Sequence, residues 1–309
     1  MRKPQLIVIG GATASGKSAL AVELCKRLNG EVVSCDSMQI YKRMDIGTAK
    51  PTRDEMQGIP HHMIDVVEPE CDYDVSTYMT EAGGCIRDIL SRGKLPVLCG
   101  GTGLYIDALI KGLTFSSDSD ENLREELRKI ALTEEGRHEL HERLAKIDPD
   151  SAARLHENDI RRVIRSIEIY EVTGKTQTEH MKEDSERESA YDARCYAFDW
   201  DRDTLYDRIN RRVDVMFKNG LADEVKALLD SGVPMNCTSM QALGYKETAM
   251  YVKGFCSRED AAEAIKTGSR HYAKRQLTWL RRDGGFAWLD PKENTETIID
   301  RIRGNLNDR

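Results

Sequence analysis

The run Gly11-Ala12-Thr13-Ala14-Ser15-Gly16-Lys17-Ser18 carries the strongest chemical signal in the chain. It lies between a short apolar run, Leu6–Ile9, and an amphipathic stretch, Ser18–Leu28, which is the strand–loop–helix setting of a phosphate loop. Glycines let such a loop wrap closely enough for backbone N–H groups to face phosphate oxygens, and the following helix start adds oriented donors. Lys17 brings a mobile positive charge, and the Ser18 hydroxyl can hold a magnesium ion. This pattern predicts a bound phosphate or diphosphate without naming the reaction. Hydrolysis and phosphoryl transfer are the familiar uses, but no NKxD-like guanine-reading segment is present. Asp36 follows a second expected strand, Glu31–Ser34, with Ser37, Gln39 and Tyr41 close behind. It can coordinate magnesium, accept a proton from a nucleophile or cap a helix. Gly100-Gly101-Thr102-Gly103 closes a further run, Pro96–Cys99, and either brings the Thr102 hydroxyl to the same phosphates or makes a tight turn.

Strands separated by helices, with a helix expected over Val75–Arg92, predict a parallel sheet covered on both faces. In such a sheet the ends of neighbouring strands open into one crevice. From Ser116 the texture changes. Ser116–Glu142 has nine acidic and four basic side chains, Arg154–Tyr170 keeps helical spacing, and Thr178–Asp192 is acidic and poor in apolar residues. That middle third fits either a helical insertion or surface helices of a single domain. Tyr196–Trp200 is expected to return as a strand. Thr204–Asn219 then carries Leu205, Ile209, Val213 and Phe217 four apart on one helix face. Gly220 closes that helix, and Leu221–Leu229 follows as another.

The chain has 309 residues and a formal charge of −7, which excludes a wholly basic nucleic-acid binder but not a locally basic face. Residues 265–282 supply one: Lys266, Arg270, Lys274, Arg275, Arg281 and Arg282 occur there with no acidic residue. No apolar run reaches the length of a spanning helix, and the basic-then-apolar start reads as a buried strand rather than a signal peptide. Eight cysteines form no CxxC pair, and seven histidines give them no partners at zinc-finger spacing. Reduced thiols in a cytoplasmic enzyme are expected.

With these pieces placed, the chain resembles the tRNA dimethylallyltransferases, also called tRNA isopentenyltransferases. The resemblance covers most of the chain through GATASGKS (Gly11–Ser18), DSMQIYKRMDIGTAKP (Asp36–Pro51), GIPHHMIDV (Gly58–Val66), GGTGLY (Gly100–Tyr105), RVIRSIEIYEVTGK (Arg162–Lys175), QALGYKE (Gln241–Glu247) and YAKRQLTWLR (Tyr272–Arg281). It implies transfer of a dimethylallyl group from dimethylallyl diphosphate to N6 of adenosine 37, beside the anticodon. The implied fold is a P-loop, nucleotide-kinase-like α/β core, residues 1–115 and 196–309, with a mainly helical insertion over 116–195 that contacts tRNA.

The resemblance also assigns roles. The loop Gly11–Ser18, described in the family as nucleotide-binding, would hold the diphosphate, with Mg2+ (Ser18 a candidate ligand) neutralising it. Asp36 would be the general base, and Thr102 and Lys17 would steady the developing diphosphate charge. Ser37, Met38, Gln39, Ile40 and Tyr41 would lie near the target adenosine, Gln39 as a polar reader. Arg161, Arg162 and Arg165, with Lys274, Arg275 and Arg281, would contact tRNA. Three positions depart from the usual pattern: Ala12 replaces a frequent proline, Met38 a frequent basic residue, and Arg161 a frequent glutamine. No zinc-finger extension follows the last motif, so a bacterial-type enzyme without zinc is expected, and a monomer, since nothing requires an oligomer. Transfer to free AMP, ADP or ATP, a small-molecule P-loop kinase and a nucleotide-gated RNA-binding module are the competing readings.

Overall fold

Leu6, Ile7, Val8 and Ile9 are all fully buried. A continuous apolar run of this kind belongs to a strand covered on both faces, where alternate side chains enter opposite cores. The computed structural model describes residues 3–113, 120–282 and 284–307. Its strands are β1 (Gln5–Gly10), β2 (Gly30–Ser34), β3 (His61–His62), β4 (Leu95–Gly100), β5 (Asp192–Phe198) and β6 (Phe286–Leu289). The first helices are α1 (Lys17–Leu28), α2 (Arg53–Met56), α3 (Val75–Ser91), α4 (Gly103–Lys111), α5 (Glu121–Ile130), α6 (Glu134–Ile147) and α7 (Pro149–Arg154). They are followed by α8 (Ile160–Thr173), α9 (Gln177–Ser185), α10 (Arg202–Lys218), α11 (Leu221–Asp230), α12 (Tyr245–Val252), α13 (Arg258–Arg281) and α14 (Thr295–Asn307). The chain divides into two compact units, Met1–Ile110 with Ala190–Arg309, and Lys111–Ser189. The start of the acidic stretch at Ser116, and the expected boundary beside it, lie outside the described residues. No helix among the described residues is long and apolar enough to cross a membrane.

The first unit is an α/β fold around a parallel sheet with strand order β3-β2-β4-β1-β5-β6. Ile7, Ile9, Val32 and Val97 face α1 and α14 through Leu24, Ile299 and Ile302. Leu6, Val8, Val33 and Leu98 face α3 and α4 through Ile86 and Tyr105. A further core joins the chain after Asp36 to α10–α13: Ile40, Tyr41 and Met44 pack with Val213, Phe217, Val225, Tyr245 and Ile265. Three predicted spans shift. The fifth strand begins at Asp192, not Tyr196, because its register runs along β1 from Gln5. The spacing over Arg154–Tyr170 hides a break between α7 and α8, which Asp148 and Asp159 start separately. The basic run is the later part of α13, whose first turn carries Glu259 and Asp260.

At the end of β2 remote from its C-terminal loop, Glu31 is only 2% exposed. Its carboxylate accepts Arg92 through both terminal nitrogens (2.5 and 2.7 Å), Lys94 (2.7 Å) and His62 (2.8 Å). Three segments, β2, β3 and the turn between α3 and β4, are thereby joined at one buried charge. Arg92, aided by Lys94 and His62, holds the Glu31 carboxyl well below its ordinary value of 4.5, against the opposing effect of burial. A depressed carboxyl contributes stability above its unfolded pKa and loses it as pH falls through the folded value. Glu31→Gln is expected to cost about 2 kcal/mol at pH 7, below the fully buried range because Arg92 and Lys94 stay partly solvated. The gap from wild type should narrow at pH 3. Denaturant unfolding at both pH values checks this, and an equal gap would contradict it.

The second unit carries α5–α9 and no strand among its described residues. Leu127 of α5, Leu140 and Leu144 of α6, and Val163, Ile164 and Ile167 of α8 form its core. Glu168 is fully buried, yet its carboxyl is lowered: burial alone would raise it, but Arg124 (2.9 Å) and Arg165 (2.8 Å) outweigh that. The Asp120 N–H adds a third donor (3.1 Å). Asp148 starts α7 by accepting the Ser151 N–H (3.0 Å) and holds Thr178, at the start of α9, through its hydroxyl (2.7 Å).

Candidate active site

The sheet order explains why three separated sequence segments meet. β4 lies between β2 and β1, and all three run in the same direction. Their C-terminal loops are Asp36–Gln39, Gly101–Gly103 and Gly11–Ser18, spaced by strand separations of about 4.8 Å. Thr102 bridges the first two. Its N–H donates to the Cys35 carbonyl (3.1 Å), and its hydroxyl oxygen accepts the Ser37 N–H (3.1 Å). The first and last of these loops, with Cys99 and Gly100 at the end of β4, border a cavity of about 500 Å3, within the range of small-molecule sites; Thr102, expected at the phosphates, is not among its lining residues, because its hydroxyl is turned to Ser37.

Gly16, at the N-terminus of α1, has φ of +92°, which explains why glycine stands there. Lys17 curls back to donate to the Ala12 carbonyl (3.2 Å). Burial lowers its ammonium below the ordinary lysine value, and nearby Arg212 lowers it further while Asp36 opposes the drop. Lys17 and Ser18 both line the cavity. The Ser15 hydroxyl is buried and has no hydrogen-bond partner among the described residues. A buried polar atom in that state costs free energy unless a ligand satisfies it, and a phosphate oxygen is the acceptor such a loop is shaped for. Ala12, where proline is frequent, is itself buried and packs with Leu205, Ile209 and Ala273.

Asp36 holds a turn and caps no helix. Its Oδ1 accepts the Met38 N–H (2.9 Å), an aspartate turn that fixes the carboxylate, while no hydrogen bond among the described residues engages Oδ2. The carboxylate lines the cavity and is close enough to act electrostatically on Lys17, Arg212 and Tyr272. Burial, then Asp36, pushes the Tyr272 phenol up to about 12, so it remains a donor at neutral pH. Ser18 and Asp36 are the cavity oxygens suited to magnesium. An ion that keeps waters and takes phosphate oxygens requires only one or two such groups.

Ser37, Met38 and Gln39 also border the cavity. Gln39 differs from its expected role as a base reader. Its Oε1 accepts the Ser34 hydroxyl (3.2 Å), and its Nε2 donates to the Thr48 and Ala49 carbonyls (3.4 Å each), so the amide builds the wall. Ile40 and Tyr41, also expected beside the target base, are 0% and 1% exposed in the apolar core, where burial excludes them from direct contact.

Other predicted RNA contacts fall into distinct settings. Arg161 and Arg162 are exposed on α8 of the second unit, Arg162 pairing with Asp159 (3.3 Å), while Arg165 braces buried Glu168. On α13, Lys274 is exposed, and Arg275 lines the cavity with its guanidinium 5.5 Å from the Tyr272 ring centroid. Arg281 pairs with Asp199 (3.0 Å) and stacks over Trp288.

Several residues absent from the predicted site complete it. Gln276 accepts the Thr13 N–H (3.0 Å) and donates to the Gly101 carbonyl (2.9 Å), tying two glycine loops to α13. Arg208 donates to the Ala14 carbonyl (2.8 Å), and Trp200 to the Ser15 carbonyl (2.8 Å). Arg212 reaches the Thr13 hydroxyl (3.4 Å), and burial lowers its pKa while Asp36 supports its charge. A signal existed for the arginines: Arg208 and Arg212 are four apart beside the stripe Leu205–Ile209–Val213. The opposite cavity wall is apolar, with Val213, Met216, Leu243 and Ile265.

A family model described as IPP transferase matches residues 39–283, and another, isopentenyl transferase, matches residues 4–66. The chain belongs to the IPP transferase family. A relative in this family, the tRNA dimethylallyltransferase of Bacillus cytotoxicus, is 48% identical over 308 residues, covering 99% of this chain and 96% of the relative. That of Caldanaerobacter subterraneus subsp. tengcongensis is 48% identical, covering 98% of each. The crystal structure of the Bacillus halodurans tRNA isopentenylpyrophosphate transferase aligns with TM-score 0.74 and 44% identity, covering 98% of this chain and 96% of that one. A eukaryotic dimethylallyltransferase described as acting on tRNA aligns with TM-score 0.86 and 31% identity, covering 99% of this chain and 80% of that one. The family thus joins an α/β P-loop fold to prenyl-transfer enzymes.

Proposed function

We propose that this IPP transferase transfers the dimethylallyl group of dimethylallyl diphosphate to N6 of adenosine 37 in tRNA, releasing diphosphate. The observation that carries this reading is one cavity bordered by both an anion-binding loop and a carboxylate with an uncommitted oxygen, Asp36 Oδ2. Adenine N6 is a weak nucleophile because its lone pair is delocalised into the ring. Asp36 accepts a hydrogen bond from N6–H and takes the proton as the C1–N6 bond forms and the C1–O bond breaks. The diphosphate keeps the electron pair of the broken bond. Its charge is met by the loop N–H groups, Lys17 and Arg212, with Tyr272 in the same cavity lining, while Thr102 supports the chain next to Asp36 through Ser37. Magnesium, held through Ser18 and the diphosphate oxygens, would supply further charge neutralisation.

The acceptor base must leave its stack to reach Asp36. Exposed Lys274 and cavity-lining Arg275 on α13, and exposed Arg161 and Arg162 on the second unit, are basic groups available to the tRNA backbone. Residues 116–195 are accordingly proposed as the tRNA-contacting insertion, and the protein as a cytoplasmic monomer. Neutralising both Lys274 and Arg275 to Gln should weaken tRNA binding and flatten its log affinity–log salt slope by roughly 1.5. Binding measured across salt concentrations checks this; an unchanged slope would remove these residues from the phosphate contacts. Acceptor competition tests the reaction itself. With dimethylallyl diphosphate and magnesium, product should form on unmodified tRNA, whereas product on AMP, ADP or ATP alone would select adenylate transfer.

A further inference from the structure

The chain between Met44 and Lys50 forms part of the cavity wall without helix or strand, yet it is tightly held. Glu224 on α11 accepts the consecutive backbone N–H groups of Asp45 (2.9 Å), Ile46 (2.8 Å) and Gly47 (3.2 Å), as well as the hydroxyl of Tyr245 (2.6 Å). Three successive N–H groups turned towards one anion make a concave nest, and hydrogen bonds to a charged acceptor are the strong kind. The Tyr245 ring is fully buried and lies so close to Gly47 that any β-carbon there would overlap it. Burial, with Glu224 second, raises the phenol pKa and keeps it protonated as a donor. At the far end of the segment, the buried Lys50 ammonium holds the Tyr41 carbonyl (2.9 Å), Asp45 (2.6 Å) and Asp65 (2.6 Å).

The segment connects directly to the reacting side of the cavity. Gly47, Thr48 and Ala49 line it, and Gln39 spans from the Thr48 and Ala49 carbonyls back to the chain that begins at Asp36. This wall adjoins the β2 loop. The diphosphate loop follows β1, with β4 between them.

We propose that Glu224 and Tyr245 are positioning residues for prenyl transfer, fixing the Gly47–Ala49 wall that aligns the acceptor base with Asp36. This rests on the transfer reading above. Neither residue touches the reacting atoms; both act through the backbone of the wall. Displacement of such a wall by about 1 Å is enough to cost roughly 10²-fold in rate.

The test compares Glu224→Gln and Tyr245→Phe with wild type in single-turnover transfer, with KM for tRNA and for dimethylallyl diphosphate and thermal stability measured on the same preparations. Asp260→Asn, which weakens the cap of α13 through Ser257, controls for simple stability loss. Glu224→Gln should lower the transfer rate on the order of 10²-fold, and Tyr245→Phe about tenfold by removing one hydrogen bond to a charged group. The donor KM should stay within about twofold of wild type, while the control keeps its rate per folded molecule. If Glu224→Gln does not fold, Tyr245→Phe, whose ring still fills its site, decides. An unchanged rate per folded molecule, or an effect confined to donor KM, would overturn the positioning role. An inactive wild-type protein would contradict the transfer reading and the positioning role with it, whereas active wild type with unaffected variants contradicts the positioning alone.

Discussion

Asp36→Asn is expected to slow single-turnover prenyl transfer by about 10²–10⁴-fold, the usual contribution of a positioned general base. Asparagine keeps an oxygen able to accept the Met38 N–H, so the turn that fixes this side chain should persist. It cannot take a proton from N6 as the carboxylate can. tRNA affinity should therefore change much less than the transfer rate. Separate measurements of tRNA binding and of single-turnover product formation distinguish the two. Equal losses in both would indicate that Asp36 anchors RNA rather than acting on the proton, and an unchanged rate would remove it from the chemistry.

Lys17→Ala should cost about 3 kcal/mol of transition-state stabilisation, on the order of 10²-fold in rate. Negative charge grows on the diphosphate as its bond to carbon breaks, so a cation there helps the transition state more than the bound donor. Arg212 works on the same charge from α10, and the two effects should not add fully, because Arg212 also lowers the tendency of Lys17 to stay charged. The lowered Lys17 pKa has a signed consequence. As pH rises, this lysine loses its proton before an ordinary one would. The alkaline limb of kcat/KM for the donor should consequently fall below the ordinary lysine value of 10.5. Lys17→Arg, whatever its rate, should shift that limb upward. A limb unmoved by that substitution would assign it to another group.

The phosphate loop and the strands β1, β2, β4 and β5 were readable because each is a local pattern, whereas the short edge strands β3 and β6 were not anticipated. A buried strand is an uninterrupted apolar run, and the loop is a fixed spacing of glycines, lysine and serine. The break between α7 and α8 was hidden because Val163, Ile164 and Ile167 face a core with helical spacing whether or not the chain before them continues as helix. Burial of Ile40 and Tyr41 could not be read from their nearness to Asp36: their contacts are with Val213, Phe217 and Val225, far along the chain. Arg212 and Gln276 were missed for a related reason. Each meets the phosphate loop only after α10 and α13 pack over it, and Gln276 carries no charge to distinguish it among basic neighbours. Glu31 looked like part of an ordinary strand, since its partners Arg92 and Lys94 come from the far side of α3. The local chemistry was legible, whereas the side chains that hold it in place depend on tertiary contacts.

If the phosphate loop retains a diphosphate leaving group while carbon moves to adenine, modified base and free diphosphate must form in equal amounts. The most direct measurement supplies dimethylallyl diphosphate labelled at C1, magnesium and unmodified tRNA containing adenosine 37. Nuclease digestion with mass spectrometry then locates the label while released diphosphate is quantified. The expected result is labelled N6-(dimethylallyl)adenosine at position 37, with one diphosphate released for each modified base. Folded protein that binds this tRNA yet leaves adenosine 37 unlabelled would contradict the account.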